Sequence, residues 1–143
     1  MQHYYKETPQ FTAYFEDESG IMYVTYQGVL SPDITAQVYK WMLDAVQTLD
    51  VKDIRGGIYD FRLVKDFNKG NLSTANRESR NFNVKVDISH VPVALLVNTF
   101  FQEQMVKVSM KIDPGQDRKR IVKSMEEALV FIKEFHRKQS KTD

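Results

Sequence analysis

Lys52-Asp-Ile-Arg-Gly-Gly-Ile-Tyr-Asp-Phe-Arg62 is the stretch that decides how this chain is read. Arg55 to Phe61 has the β-branched and aromatic content of a strand and ends at an acidic turn, Asp60-Phe61-Arg62. Gly56-Gly57 inside it weakens β propensity and marks a bulge or the close approach of another backbone. Helical patterns on both sides make this strand central. Ahead of it, Ser31-Pro32-Asp33 is a strong helix start: a capping serine, a proline at the first helical position and an early acid. Ile34, Val38, Trp41, Met42, Ala45 and Leu49 then fall three or four apart, one buried stripe. Behind the strand, Leu63 to Gly70 reads as a charged loop. Asn71 or Ser73 then caps a helix to about Asn81 or Phe82, with a thin apolar face of Leu72, Ala75 and Phe82.

The same unit repeats outward. Phe11 to Glu16 alternates apolar and polar positions, Asp17-Glu18-Ser19-Gly20 is a turn with Gly20 free to take positive φ, and Ile21 to Gln27 is a second strand, so the pair forms a hairpin. Met1 to Gln10 reads as a loosely held arm ended by Pro9. On the other side, Val84 to His90 is an extended connection, and Val91 to Val97 is apolar at nearly every position, as in a strand covered on both faces. Thr99 and Gln102 resemble a capping box before a stripe of Phe101, Met105, Val108 and Ile112, and Asp113-Pro114-Gly115 stops that helix. Arg118 to Lys123 is a short basic strand. Ser124-Met-Glu-Glu127 is a second capping box, with Leu129, Ile132 and Phe135 facing the core from the last helix. His136 to Asp143 reads as a solvated tail.

The expected class is therefore α/β, in the order β-β-α-β-α-β-α-β-α. Alternating strands and helices imply a five-stranded, mostly parallel sheet with right-handed crossovers, four helices, and only the first strand antiparallel. Residues 1–10 form an arm, 11–137 a single domain and 138–143 a tail.

Composition narrows the function classes. One domain is the default for 143 residues. Twenty Lys and Arg balance nineteen acids, a net charge of +1, which argues against a nucleic-acid binder or a binder of anionic membranes. With no cysteine, disulfides, thiolate nucleophiles and cysteine-ligated metals are excluded. The first ten residues lack the apolar core of a signal peptide, and the longest apolar run, Val91 to Val97, is far short of the ~20 residues of a membrane helix. A cytoplasmic protein is the simplest reading.

Tyr26-Gln27-Gly28 before the helix cap at Ser31, the strand end Asp60-Phe61-Arg62, Val93-Ala94-Leu95-Leu96-Val97 and Ser124-Met125-Glu126-Glu127-Ala128-Leu129 together resemble the SpoIIAA-like proteins. That group includes STAS domains and is distantly akin in fold to SEC14-type lipid carriers. The resemblance spans Phe11 to Phe135. It implies strands added in sequence order and a non-catalytic binding or regulatory module. In anti-sigma antagonists of this kind a phosphorylatable serine sits just after the third-strand aspartate. Here Asp60 is followed by Phe61, Arg62 and Leu63, and Ser73 and Thr74 come only after a loop, so that form of control is not carried over.

Ligands of parallel sheets meet the carboxyl ends of the strands, which here collect Gln27, Asp60, Arg62, Asn98, Thr99 and Ser124. Helix starts add free N–H groups there, so a phosphorylated partner or a small anion could bind, although Ser31, Ser73, Thr99 and Ser124 also fit as plain caps. Asp60 and Arg62 share a face of the strand and could pair, as a site or as a surface ion pair. Arg77 and Arg80, with Ser73 and Thr74 nearby, could grip a phosphate or simply be solvated. Arg118-Lys119-Arg120 with Lys123 suits an edge strand protected by charge. Tyr14, Tyr23 and Tyr59 lie on strands expected to be neighbours and, if they share a face, form an aromatic interface for self-association, an apolar ligand or plain core packing. His3, His90 and His136 have no ligand-spaced partner, and no nucleophile or phosphate-loop motif occurs, so neither an enzyme, a metal nor a cofactor is expected. The expectation is a protein-interaction module that self-associates as a homodimer. The second expectation is a carrier of a small apolar or anionic ligand, and an enzyme ranks third.

Overall fold

The computed structural model describes residues 2–68, 70, 74, 77, 78, 81, 89–110 and 118–142. Its elements are β1 (Gln2–Glu7), β2 (Phe11–Glu16), β3 (Ile21–Leu30), α1 (Pro32–Thr48), a 3₁₀ turn (Val51–Asp53), β4 (Gly56–Phe67), β5 (Val93–Leu96), α2 (Phe100–Met110), β6 (Lys119–Val122) and α3 (Met125–Thr142). The strands form one six-stranded sheet in chain order. β1, β2 and β3 pair antiparallel, and β3 through β6 pair parallel. The quoted central strand thus lies between β3 and β5, as its flanking helices require.

Three features depart from the sequence reading. The ten residues read as an arm contain β1, because a contact 37 residues away holds them: the indole N–H of the buried Trp41 donates to the Tyr4 carbonyl. Tyr4 adopts φ 57° where Tyr4 and Tyr5 together face Tyr14, a bulge in the β1–β2 ladder. The tail is helical as far as Thr142. The helix expected over 71–82 lies largely outside the described residues, of which Thr74, Arg77, Glu78 and Asn81 are helical; three α-helices are bounded among the described residues, against the four expected.

The third departure sits at the centre. The strand expected to end at Phe61 continues to Phe67, through what reads as a charged loop. Its register against β3 slips twice, from Thr25↔Asp60 to Gln27↔Leu63 and from Gly28↔Val64 to Val29↔Asp66. Each slip inserts one extra residue into β4. Phe61, Val64 and Phe67 therefore all point into the same core although they are three apart, not two. Alternation at period two is the signature of a strand, and two bulges erase it.

Crossovers between parallel neighbours taken in chain order place their helices on one face of the sheet. Accordingly α1 and α2 cover the first core, with Val24, Tyr59, Phe61, Leu95 and Val97 from the strands and Val38, Trp41, Met42 and Val106 from the helices. Among the described residues α3 is the helix of the second core, where Ala128, Phe131 and Ile132 meet Ile58, Ala94, Leu96 and Val122. β5 feeds both cores from alternate residues, as its unbroken apolar run requires. Leu129, expected in the core, is 43% exposed, one helical position away from the buried stripe. Gly56 is the close approach anticipated for the glycine pair. A Cβ there would lie 2.9 Å from Cδ1 of Ile132, so a larger residue would push the Ile132 side chain of α3 off β4. At the hairpin turn Gly20 takes φ +72° as expected, and a Cβ would meet the Asp53 carbonyl at 2.7 Å.

Candidate functional site

The first bulge of β4 makes the carboxyl-end rim. An extra residue in a ladder leaves an amide unpaired. Here the Arg62 N–H donates to Oδ1 of Asp60 at 3.0 Å, so the carboxylate caps the bulge. The Arg62 side chain then folds back on the same acid, with Nε to Oδ1 at 3.0 Å and Nη2 to Oδ2 at 2.9 Å. This is a bidentate, charge-assisted pair. Asp60 is buried between Thr25 and Leu96 of the neighbouring strands, whereas the Arg62 side chain remains 38% exposed. Hydrogen bonding to Asp60 raises the Arg62 pKa further above its ordinary value, so the guanidinium stays charged. The second bulge is capped in the same manner, Phe67 N–H donating to Asp66 Oδ1 at 2.8 Å.

Beyond Asp60, β4 outruns β5, whose last pairing is Leu96 with Asp60. The carbonyls of Arg62 and Val64 are left without a strand partner. Gln102, buried in the first turn of α2, donates its amide to both, at 3.1 and 3.0 Å, while its Oε1 accepts from the Asn98 N–H at 2.9 Å. Its own N–H donates to Thr99 Oγ1 at 3.1 Å. The expected capping box is thus real in its first half, but the glutamine side chain serves as a substitute strand. Gln102 was legible only as a cap; its role at the rim depends on two bulges that the sequence does not announce. Through it, Asn98 and Thr99 are brought beside Arg62, and both are exposed.

Other expected residues take different positions. Ser124 caps α3 through the Glu127 N–H at 3.1 Å, and Glu127 reaches back to the Lys123 N–H. Gln27 is tied to the β1–β2 connection by its side chain donating to the Pro9 carbonyl at 2.7 Å. Thr74 is buried, with its N–H donating to the Gly70 carbonyl at 3.2 Å. Arg77 is exposed and pairs with Glu78 at 3.6 Å rather than with the Asp60 group. Ser73 and Arg80 lie outside the described residues. The basic cluster is engaged internally: Arg118 donates to the Val91 carbonyl, Arg120 stands 4.7 Å over the Phe131 ring, and Lys123 pairs with Glu103 at 2.8 Å. His136 lies within α3, and its Nε2 contacts the Arg55 carbonyl at 2.6 Å.

The three tyrosines do not form one surface. Tyr14 and Tyr23 stack at 5.1 Å, and Tyr5, not Tyr59, extends the stack at 6.5 Å. In register, Tyr23 faces Ile58 and Val24 faces Tyr59, so Tyr59 points to the opposite side. There it is buried under α1 with its hydroxyl donating to Met42 Sδ at 3.0 Å, and burial drives its pKa far above the tyrosine range.

Four of the exposed large apolar groups lie towards the rim: Val29 is the last residue but one of β3, Leu63 follows the Asp60–Arg62 pair at 56% exposure, and Phe100 and Phe101 open α2 at 77% and 47%. Phe101 rests edge-on against Phe67, its ring 5.9 Å away. An open cavity of about 550 Å³ lies at the opposite end of the sheet, between the β2–β3 turn and the 3₁₀ turn, lined by both charge signs, including Asp17, Glu18, Asp53, Lys52 and Arg55. Among the described residues no three His, Asp or Glu side chains converge as a metal site, and no helix is long and apolar enough to cross a membrane.

No family model and no curated protein matches the chain. Several solved structures are similar to it, and two of them bear on its architecture. One is an uncharacterised protein of the DUF3478 family with a SpoIIAA-like fold from Shewanella loihica PV-4, at TM-score 0.52 and 13% identity over 90% of each chain. The other is an anti-sigma factor antagonist from Mycobacterium paratuberculosis, at TM-score 0.55 and 16% identity over 90% of this chain and 99% of that one. Identity this low speaks to architecture, and with the strand order and helix placement above, the chain is an α/β domain of the SpoIIAA-like fold.

Proposed function

We propose that the protein is a non-catalytic interaction module whose recognition surface is the carboxyl-end rim. The carrying observation is the company kept by the Asp60–Arg62 pair. Arg62 presents a charged, pre-oriented guanidinium, exposed Leu63 follows it on β4, and Gln102 ties this part of β4 to the start of α2, where Asn98, Thr99, Phe100 and Phe101 are exposed. Exposed apolar groups concentrated at one rim mark a protein contact, and arginine with aromatics is the composition of interface anchors. Both Asp60 oxygens are committed to Arg62, which leaves that carboxylate poorly placed for acid–base work. The similar fold of an anti-sigma factor antagonist agrees with a regulatory role exercised through a protein partner. A cytoplasmic setting and the absence of enzymatic activity belong to this reading.

The test is affinity capture from native extract with the wild-type chain and with a Leu63→Ser, Phe100→Ser variant whose melting temperature is checked. Both substitutions remove exposed side chains, so the fold should persist. A partner retained by the wild type and lost by the variant supports the rim as the recognition surface. The same partner held equally by both removes it. Native mass spectrometry that finds a retained small molecule and no partner protein replaces the reading with the ligand-carrier one.

A further inference from the structure

The topology that puts α1 and α2 on one face leaves the other face covered, among the described residues, over half its width. α3 covers that face only on the β4–β6 side: Ile132 packs on Gly56, His136 reaches the Arg55 carbonyl, and Phe131 lies under Arg120 of β6. On the β1–β3 side the same face carries the stacked Tyr5, Tyr14 and Tyr23, none of them fully buried, with Tyr23 at the edge of the α3 core. A helix stands about 10 Å thick on a sheet. The face is therefore a step, with α3 as the raised half and the tyrosine ladder as the lowered half.

The two halves are complementary in chemistry. The ladder is acidic at its margins: Glu7 accepts from the Tyr5 hydroxyl at 3.1 Å, and Glu16 adds to burial in raising the pKa of Tyr14 and Tyr23. On α3, Glu126, Val130, Lys133 and Arg137 fall four, three and four residues apart, one stripe on the side away from the core. Lys133 is exposed, Arg137 is exposed and pairs with Glu134 of its own helix at 2.6 Å, and Val130 is 55% exposed. Exposed Leu129 lies on the flank that also carries Ile132 and His136, both in contact with β4, so it faces the bare half of the step. A raised half that offers apolar Leu129 and Val130 beside the Lys133 ammonium thus meets an acidic and aromatic lowered half on the same molecule.

We propose that this face is the docking surface for a second copy of the chain, related by a two-fold axis that lies parallel to the sheet and runs along α3. Each α3 fills the other copy's lowered half, Val130, Lys133 and Arg137 lie over Tyr5, Tyr14 and Glu16, and the two Leu129 side chains meet near the axis. Such an interface is isologous and closes at the dimer. It uses a surface distinct from the rim, so it leaves the proposed recognition site open in both copies.

The absence of cysteine makes the test clean. Sedimentation velocity of the wild type should give a dimer, and Lys133→Glu with Arg137→Glu should weaken it about tenfold or more, the equivalent of about 1.4 kcal/mol. Mixing that variant with a Glu7→Lys, Glu16→Lys chain should restore a heterodimer, which a misfolded variant could not do. Leu129→Cys should form an inter-chain disulfide on mild oxidation, because such bonds need Cα atoms within about 7 Å. Lys40→Cys, exposed on α1 on the opposite face, should not. A wild type that remains monomeric at its highest soluble concentration overturns the proposal. So does a dimer indifferent to both charge reversals, or one that cross-links through residue 40 and not 129.

Discussion

Removing the Gln102 side chain should be among the most damaging single changes to this fold. Gln102→Ala deletes three side-chain hydrogen bonds at once: two donated to the Arg62 and Val64 carbonyls and one accepted from the Asn98 N–H. The bond to Val64 is buried and the other two are partly buried. A buried polar group left without a partner costs about 1–3 kcal/mol, and a lost hydrogen bond that water can replace about 0.5–1.5 kcal/mol. Taking the first value for the Val64 carbonyl and the second for the other two groups gives a loss of about 2–6 kcal/mol. A domain of this size has about 5–15 kcal/mol in total, and each kcal/mol moves its melting point by about 2–4 °C. The measurement is urea unfolding by circular dichroism, with the slope against denaturant held as the check on two-state behaviour. Thr99→Ala provides the scale, since it removes only the cap and should cost about 1 kcal/mol. Gln102→Glu sharpens the test: at neutral pH a carboxylate would face two carbonyls it cannot donate to, so the variant should be no more stable than Gln102→Ala. A loss under about 1 kcal/mol for Gln102→Ala, comparable to that of Thr99→Ala, would refute the idea that this side chain replaces a missing strand.

The Asp60–Arg62 pair should respond unequally: Asp60→Ala uncaps the bulge amide and should cost about 2–3 kcal/mol, whereas Arg62→Ala breaks a part-exposed ion pair and should cost at most about 1 kcal/mol while weakening capture of a rim-bound partner. Equal losses of stability would mean that the bulge amide does not depend on the acid. Tyr26 and Tyr59 are buried with their pKa values pushed well up by burial, so the folded state holds their protons more tightly than the unfolded chain does. Stability contributed this way is full below the ordinary tyrosine value of 10.0 and is lost as pH rises beyond it; an absorbance titration should show two of the seven tyrosines ionising only with unfolding, and seven ionising together in a native chain would contradict that burial.

Much of the architecture could be read from local pattern. The Ser31-Pro32 start, the stripe from Ile34 to Ala45, the hairpin turn at Gly20 and the two-faced apolar run around Val93–Leu96 each state a period and a boundary, and each appears where expected. Failures came where one residue of register or one distant contact decides. The second half of β4 was read as a loop because its apolar residues recur at three, and β1 was read as an arm because its anchor is Trp41. The candidate site divides the same way. Asp60 beside Arg62 was legible as a pair two apart on a strand, and the pairing is present in full. The tyrosine surface was misassigned at one member, since a shift of one position along a strand moves a side chain to the other face and exchanged Tyr59 for Tyr5.

Local chemistry alone therefore determined the alternation of strands and helices, the capped helix starts and the central place of the Arg55–Phe61 strand, because each depends on residues within a turn or two of one another. Tertiary structure alone decided which face each tyrosine occupies, that two bulges carry β4 past its neighbour, and that a glutamine from α2 must satisfy the carbonyls left over. Those outcomes depend on pairing between segments far apart in the chain, where one inserted residue reverses everything that follows and no short-range signal records the choice.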